Sequence, residues 1–311
     1  MGAASRLAAI VVNYGTPAET LRAVRSLEES RRPVDDLLVV DNGPADPSAP
    51  LAGLAPPATV LATGRNLGFA GGSNVGIRAA LARGADRVFL LNSDALVEPD
   101  CLERLLAALE ARPDAGIAGP VVRFRDEPER VMSAGIRYAP RTGRMRHLGS
   151  GRRRADLEDR AGWIVDGVSG CAMLIRRAVL ERVGLLAEDY FFSFEDLDLC
   201  LRARRSGFVT LCVPEAGVLH EGSRSIGRRS SSRLYFAARN HLLLAGRTAP
   251  AGPLLSVLRG GSILGLNVAH ALVRGEAPRL AGLGSVLQGA WDHLRGRYGD
   301  RPSRSAGPGP G

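Results

Sequence analysis

Lysine is absent from this 311-residue sequence: all 41 basic residues are arginine, against 32 acidic residues, and the formal net charge is +9. Exclusive use of arginine in a chain rich in alanine and glycine is typical of a biased genomic base composition, so arginine alone does not indicate phosphate recognition here. The excess of positive charge still favours an anionic partner, such as a nucleic acid, a nucleoside diphosphate or an anionic membrane surface.

Cysteine and aromatic residues are also scarce. The four cysteines lie far apart without a CxxC pair, and we expect them to be reduced and buried in a cytosolic protein: Cys101, Cys171, Cys200 and Cys212. Aromatic residues make up 5% of the chain and cluster beside acidic residues. A nucleic-acid-binding protein needs interleaved aromatic and basic residues or a recognition helix, so this class is disfavoured.

Long hydrophobic runs are missing as well. No stretch reaches the roughly 18 to 20 uninterrupted apolar residues of a membrane span. The nearest one, residues 254–273, is interrupted by Arg259, Asn267 and His270. The N-terminal segment has one arginine and a very short apolar run, so we expect a buried strand rather than a signal peptide. The hydrophobic fraction of 45% indicates a globular protein with a sizeable core.

Short apolar strands and helices alternate through the first half of the chain. Strands are predicted at residues 7–12, 37–40, 59–62, 88–91 and 116–122, and helices at 17–30, 72–83 and 101–111. Strands that are buried on both faces and separated by helices predict a Rossmann-like, doubly wound parallel sheet. Such sheets bind ligands at the carboxyl ends of their strands. Asn13, Tyr14, Asp41 and Asp94 follow strands and are expected along that edge.

A glycine-rich stretch at residues 65–77 precedes the second predicted helix. Glycines let backbone N–H groups approach a phosphate, and a helix N-terminus favours an anion. The stretch matches neither GxGxxG nor a Walker motif, and close packing of the loop and helix explains it equally well.

The most concentrated acid follows an aromatic cluster at residues 190–194. The apolar spacing after Phe194 places Glu195, Asp196 and Asp198 in the first turns of a helix. The positive end of the helix would favour an ionised Asp196, as a general base requires. The alternative is a solvated helix start, with Asp198 and Arg202 as an i,i+4 ion pair.

Seven ordered segments carry a family resemblance: VVNYGTP, VVDNG, NLGFAGGSNVGI, LLNSDA, DGVSGCAMLIRR, FFSFEDLDLCLR and VLHEGSRS. Together they resemble the family 2 glycosyltransferases of the GT-A fold over about residues 7–245. They are most similar to the bacterial branch that includes rhamnosyltransferases and other cell-surface polysaccharide enzymes. The resemblance implies an α/β catalytic domain with a mostly parallel sheet at residues 1–250. A helical appendage at 251–298 and a disordered tail at 299–311 would follow.

The resemblance also implies the site. The implied donor-binding residues are Asn13, Tyr14, Asp41, Asn66, Gly68, Gly71, Gly72 and Asn74, and we add Arg224 because it follows His220 in a basic segment suited to closing over a diphosphate. Asp94 matches the last acid of a motif that binds Mn²⁺ or Mg²⁺, with Asn92 in place of its usual first acid. By itself, an aspartate at this position is more often a turn former or a helix cap than a metal ligand. His220 matches a histidine that reaches the metal or diphosphate in some relatives, although a histidine at a strand end is more often structural.

The implied reaction is a single in-line displacement with inversion of configuration, typical of a hexosyltransferase of the EC 2.4 type. Asp196 is the expected base and Glu195 the reserve. The donor would be a dTDP- or UDP-linked sugar such as rhamnose, and the acceptor a saccharide or a polyprenyl-linked sugar of cell-surface polysaccharide synthesis. A nucleotidyltransferase, a basic nucleic-acid-binding protein and a glycosyltransferase-like protein without catalysis are the alternatives.

Two further regions leave alternatives open. The seven arginines between residues 137 and 154 are expected on solvated loops. Residues 253–297 predict two helices broken near 275–278, which either pack on the catalytic domain or lie on the inner face of the plasma membrane. We therefore expect a cytoplasmic protein, with peripheral membrane contact as the open alternative. The donor sugar, linkage and oligomeric state are not readable from the sequence.

Overall fold

The structure, a computed structural model, describes residues 5–44, 51, 54, 58–157, 163–221, 231–248, 250, 252–273 and 278–301. The strands are β1 (Leu7–Asn13), β2 (Asp36–Asp41), β3 (Ala58–Ala62), β4 (Arg87–Asn92), β5 (Ala95–Val97), β6 (Ala115–Phe124), β7 (Val131–Ser133), β8 (Ile136–Ala139), β9 (Arg144–His147), β10 (Trp163–Val165), β11 (Ala172–Arg176) and β12 (Val209–His220). The helices are α1 (Pro17–Glu28), α2 (Gly68–Ala82), α3 (Cys101–Ala111), α4 (Arg177–Val183), α5 (Glu195–Arg205), α6 (Ser231–Thr248), α7 (Pro253–Val273) and α8 (Arg279–Leu294).

Ten strands form one mixed sheet, in the order β10-β12-β6-β11-β4-β1-β2-β3, with β5 on β12 and β7 on β6. The half from β4 to β3 is parallel throughout, as the apolar runs predict. The sequence reasoning did not predict β11, which lies antiparallel between β4 and β6. Because β11 runs in the opposite direction, its beginning lies at the carboxyl end of β4, where ligands bind.

The sheet is buried on both faces. In β1, Ala9 and Val11 belong to one core cluster and Ile10 to the other, and all three are fully buried. One cluster includes residues of α1 and α3, and the other includes residues of α2, α4 and α5. The burial of both faces explains why β1 is a continuous apolar run without alternation.

Helix α2 begins at Gly68, four residues before the predicted start, so the glycine-rich stretch forms its first turns. A Cβ atom at Gly76 would lie 2.5 Å from Ile10 Cγ2 in β1, and one at Gly72 would lie 2.9 Å from Val12 Cγ1. These glycines therefore let the helix lie directly on β1, as the packing alternative predicted.

The C-terminal helices pack on one another and on the sheet domain. The Cβ of a residue at position 289 would collide with the Tyr235 carbonyl oxygen, so Gly289 allows α8 to lie close against α6. Gly299 donates its N–H to the Asp189 carbonyl (2.9 Å) and accepts from Arg239 (2.7 Å). The predicted disorder therefore does not begin at Gly299, and residues 302–311 lie outside the described residues.

Candidate active site

Asn13 and Asp41 meet at the carboxyl ends of β1 and β2. They are register partners, and Asn13 Nδ2 donates a hydrogen bond of 2.8 Å to Asp41 Oδ1. Asn13 Oδ1 accepts from the backbone N–H of Thr16 and from the hydroxyl of Thr20. Because its amide is engaged within the protein, Asn13 orients the half-buried Asp41 carboxylate, which is the better placed of the two to meet a ligand.

Tyr14 and Asn66 lie at the same edge. Tyr14 follows β1 and is 41% exposed. Asn66 Oδ1 accepts the N–H of Gly68 at the start of α2 (2.9 Å). Sequence reasoning missed the buried Asn42, whose Nδ2 donates to the Gly68 carbonyl (2.9 Å) and whose Oδ1 accepts the N–H of Leu67 (3.0 Å). The sequence feature that could have indicated Asn42 is its position directly after Asp41, the aspartate at the end of β2.

The glycines at the start of α2 are explained by close packing. Gly68 has φ +72°, and a Cβ there would collide with the Phe191 carbonyl oxygen just before α5. A Cβ at Gly71 would crowd the residue that precedes the helix, and Gly72 contacts β1. The donor-binding role of Gly68, Gly71 and Gly72 stays a prediction, because these contacts require glycine without a ligand.

Asn74 makes its contacts within the protein. Its Nδ2 donates to the Leu186 carbonyl (2.9 Å) and to Glu188 Oε1 (2.8 Å), and its Oδ1 accepts the Leu186 N–H (3.1 Å). The buried amide thus ties α2 to the segment before α5, a different role from the predicted donor contact. Arg224, also predicted to contact the donor, lies outside the described residues.

Asp94 and His220 form a buried pair. Asp94 lies in the turn between β4 and β5, and β5 pairs antiparallel with the end of β12, which carries His220. His220 Nε2 lies 3.0 Å from Asp94 Oδ1, and its Nδ1 lies 3.4 Å from the Met132 sulfur. The two residues are 126 positions apart, so sheet pairing alone brings them together.

This pair fits a divalent cation that is shared with a diphosphate. Carboxylate oxygen suits Mn²⁺ and Mg²⁺, and imidazole nitrogen is a common ligand of transition metals. Mg²⁺ is usually held by one or two carboxylates together with substrate phosphates. Among the described residues, no group of three or more His, Cys, Asp or Glu side chains is arranged to hold a metal ion. Phosphate oxygens of a bound substrate would therefore have to complete the coordination of a cation at Asp94 and His220.

Asp196 is held at the start of α5 by the loop that precedes β11. Its Oδ2 accepts the N–H of Gly170 and its Oδ1 the N–H of Leu197, both at 2.7 Å. Burial raises the pKa of the Asp196 carboxyl, and these hydrogen bonds partly offset the rise. The Cys171 carbonyl of the same loop accepts the N–H of Asn92 (2.9 Å), two residues before Asp94, so both carboxylates lie around this one loop. Burial, followed by the charges of Asp94 and Asp196, raises the pKa of the Cys171 thiol.

The neighbouring acids have separate environments. Glu195 is buried, and its Oε2 has no hydrogen-bond partner among the described residues. Burial, then the charge of Asp196, raises the pKa of Glu195 well above its usual range, which favours a neutral Glu195 beside an ionised Asp196. Asp198 accepts from Tyr190 Oη (3.2 Å) and Arg202 Nε (2.7 Å), and the predicted i,i+4 ion pair is confirmed.

The segment directly before α5 is strained and clamped by α6. Three non-glycine residues have positive φ: Phe191 (61°), Ser193 (70°) and Phe194 (77°). The Asn240 amide donates to the carbonyls of Tyr190, Phe192 and Ser193 at 2.7–3.0 Å. Arg239 is fully buried and donates to the Tyr190 carbonyl (3.0 Å). No sequence pattern indicated these contacts, which hold the segment that leads into Asp196.

The architecture, with polar residues at the carboxyl ends of its strands, defines the class of fold, which is GT-A. The chain is structurally similar to the mannosyltransferase PcManGT from Pyrobaculum calidifontis, solved with GDP-Man and Mn²⁺, with a TM-score of 0.58 and 18% identity over 94% of this chain and 88% of that one. At this identity the likeness shows the fold alone.

Residues 4–242 match the model of the family described as Glycosyltransferase like family 2, and the chain belongs to this family. It is 31% identical to the N-acetylglucosaminyl-diphospho-decaprenol L-rhamnosyltransferase of Mycobacterium tuberculosis, over 88% of this chain and 94% of the relative. It is 24% identical to the dTDP-rhamnosyl transferase RfbF of Shigella flexneri, over 77% and 80% respectively. The predicted fold and glycosyltransferase class are confirmed.

Proposed function

We propose that this enzyme transfers a sugar, with rhamnose as the first candidate, from a nucleoside diphosphate donor to a lipid-linked saccharide of cell-surface polysaccharide synthesis. The observation that carries the proposal is the placement of Asp94 and Asp196 around one loop: Gly170 donates its N–H to Asp196 Oδ2 (2.7 Å), and the Cys171 carbonyl accepts the N–H of Asn92, two residues before Asp94 (2.9 Å). A donor-side carboxylate paired with His220 and an acceptor-side carboxylate then stand at one strand edge. The names of the two relatives support a dTDP-linked rhamnose donor and a diphosphate-linked polyprenyl acceptor.

In this proposal Asp41, oriented by Asn13, contacts the nucleoside, with Tyr14 beside it. Asp94 and His220 would hold a divalent cation, which would supply positive charge to the departing diphosphate. Asp196 accepts the proton of the acceptor hydroxyl as that oxygen forms its bond to the anomeric carbon. The bond from this carbon to the diphosphate oxygen breaks on the opposite face, so the configuration inverts.

A panel of nucleotide sugars tests this function. The chain is incubated with dTDP-, UDP- and GDP-linked sugars, with Mn²⁺, with Mg²⁺ or with a chelator, and its melting temperature is measured. We expect one donor to raise the melting temperature only when metal is present, because ligand binding to the folded state stabilises it. The same donor should be consumed with a polyprenyl diphosphate sugar as acceptor. Absence of metal-dependent stabilisation by every donor would contradict the proposal.

The exposed surface of helix α7 suggests where the enzyme contacts the membrane that carries a lipid-linked acceptor. Helix α7 is long and apolar enough to cross a membrane by length and composition, yet most of its residues are not buried. Its polar residues Arg259 and Asn267 face inward, where Arg259 donates to the Pro140 carbonyl. The outward side of α7 and α8 is apolar, with these exposed side chains among others: Leu254, Val257, Leu258, Leu280, Trp291 and Leu294.

We propose that this outward side, the α7–α8 apolar face, contacts an anionic membrane surface peripherally. Helix α7 contains no acidic residue, and Asp292, the one acid of α8, is buried and bonded to Tyr235. Arg279 and Arg295 are exposed at the two ends of α8. Within helices α7 and α8 the apolar face is thus flanked by arginine and has no exposed acid, which suits anionic lipid.

Vesicle co-sedimentation tests this contact. The double variant Leu254→Ser/Leu258→Ser should lose most of its binding to vesicles that contain phosphatidylglycerol, because two exposed leucines would no longer enter the lipid interface. Ile164→Ser removes an exposed apolar residue elsewhere, on β10, and should bind as wild type does. The contrary result is a wild-type protein that does not bind vesicles but forms a dimer, together with a double variant that is monomeric. The α7–α8 apolar face would then be an interface with a second copy of the chain.

A further inference from the structure

A cavity of about 430 Å³ lies beside the β8–β9 hairpin, and its walls include Arg137, Arg146, His147, Arg152, Leu157 and Trp163. Six of the seven arginines at residues 137–154 are exposed, as expected of a solvated region, and three of the exposed ones surround this one space. Among the residues that the structure describes, three guanidinium groups and no carboxylate line it. Genomic bias explains why the residues are arginine rather than lysine, but it does not explain their placement together.

The hairpin places two of these charges in direct opposition. Arg137 and Arg146 are cross-strand partners in β8 and β9, and like charges in such positions are destabilising. Asp166 lies 3.9 Å from Arg137, but its two oxygens accept from Arg204 and from the Tyr138 N–H. Neither Arg146 nor Arg152 forms an ion pair within the described part of the chain. An anion between these groups would relieve the repulsion.

The cavity adjoins the proposed base. Partial burial of the His147 ring lowers its pKa, and the nearby Asp196 carboxylate opposes that shift. Ile136 of β8 donates its N–H to the Gly167 carbonyl (2.7 Å), and Gly167 packs against Leu197, the residue after Asp196. The cavity therefore lies on the Asp196 side of the site, whereas the donor diphosphate is assigned to Asp94 and His220.

The other end of the hairpin packs against the inward side of α7, opposite the α7–α8 apolar face. Gly143, in the turn between β8 and β9, packs against Ile263 of α7. From that turn β9 runs through Arg144–His147, a distance of roughly 10–13 Å, to the cavity. The hairpin thus connects the cavity to α7, whose opposite side is the proposed membrane contact.

We propose that this cavity binds the diphosphate of the acceptor, the group that joins its sugar to its lipid. Guanidinium groups match phosphate oxygens in geometry and charge, and the volume is within the usual range for ligand pockets. The order of lipid, diphosphate and sugar in the acceptor follows the order of the apolar face, arginine cavity and Asp196 in the protein. This inference rests on the proposed function and adds which part of the protein recognises the acceptor.

Kinetics with two acceptors test the site. One is a short-chain polyprenyl diphosphate sugar, and the other is the same sugar as an alkyl glycoside without phosphate. Arg146→Gln/Arg152→Gln should raise the acceptor KM about tenfold or more for the diphosphate acceptor, since charged hydrogen bonds are lost. The KM for the glycoside and the kcat values should stay near wild type. Arg144→Gln, on the same strand but outside the cavity wall, is the matched control.

If the double variant changes KM equally for both acceptors, or for neither, the cavity does not bind the acceptor diphosphate. The proposed function would still stand as long as the wild-type enzyme turns the acceptors over. No turnover of either acceptor by wild type would overturn both. Arg152→Gln alone provides a milder variant if the double variant melts early, and it should show a smaller rise confined to the diphosphate acceptor.

Discussion

Asp196→Asn is expected to lower kcat by about 10²- to 10⁴-fold, the usual contribution of a positioned general base. Donor affinity should change less than about threefold, because the carboxylate acts on the acceptor hydroxyl and an amide keeps the size of the side chain. Single-turnover rates and donor titration by melting temperature measure the two quantities separately. Asp198→Asn is the control: it weakens the contacts to Tyr190 and Arg202 and should reduce stability far more than kcat.

The same experiment separates Asp196 from Glu195. Because burial raises the pKa of Glu195 well above its usual range, its neutral acid resembles glutamine, and Glu195→Gln should retain most activity. Loss of activity in Glu195→Gln together with an active Asp196→Asn would reverse the two roles.

The pH profile follows from the same burial. A base must be deprotonated, and burial raises the pKa of Asp196, so kcat/KM should rise with pH through a midpoint above the usual aspartate value of about 3.9. The free energy of unfolding changes with pH in the opposite direction to kcat/KM. Carboxyls whose pKa is raised by folding contribute stability at low pH, and this contribution is lost as pH rises through the folded-state pKa. Glu195→Gln should therefore be more stable than wild type at neutral and alkaline pH.

Asp94→Ala is expected to abolish the metal-dependent rise in melting temperature with the nucleotide sugar and to lower kcat/KM by about 10²-fold or more. The physical reason is the loss of a carboxylate ligand to a cation that neutralises the leaving diphosphate, a contribution of several kcal/mol in the transition state. His220→Gln removes the imidazole partner and should cause a smaller loss, since the carboxylate remains.

Asn92→Asp gives the matched gain of function. It restores the usual first acid of the motif, and we expect half-maximal activity at a lower Mn²⁺ concentration because a second carboxylate favours the cation. Metal titration of activity and of melting temperature measures this change. Wild-type metal dependence in Asp94→Ala would show that the cation is held elsewhere.

The parallel half of the sheet was predictable because its strands are buried on both faces, and such burial leaves continuous apolar runs in the sequence. The helix at Glu195 and the Asp198–Arg202 pair were predictable for a similar reason, since helical neighbours are three or four residues apart. The antiparallel β11 was not, because an apolar run does not state its partner or its direction. The start of α2 was misplaced since its glycines, which resemble a loop, are required by packing on β1.

The sequence by itself determined the family, the class of reaction and the residues at the strand ends, because these depend on local order along the chain. Only the tertiary structure decided what each polar group contacts. It showed that Asn13 is hydrogen-bonded to Asp41 and that Asn74 is hydrogen-bonded to Leu186. It also showed that Arg137 and Arg146 pair across two strands and line one cavity. Such contacts depend on strand pairing and helix packing between distant segments, which residue spacing along the chain does not encode.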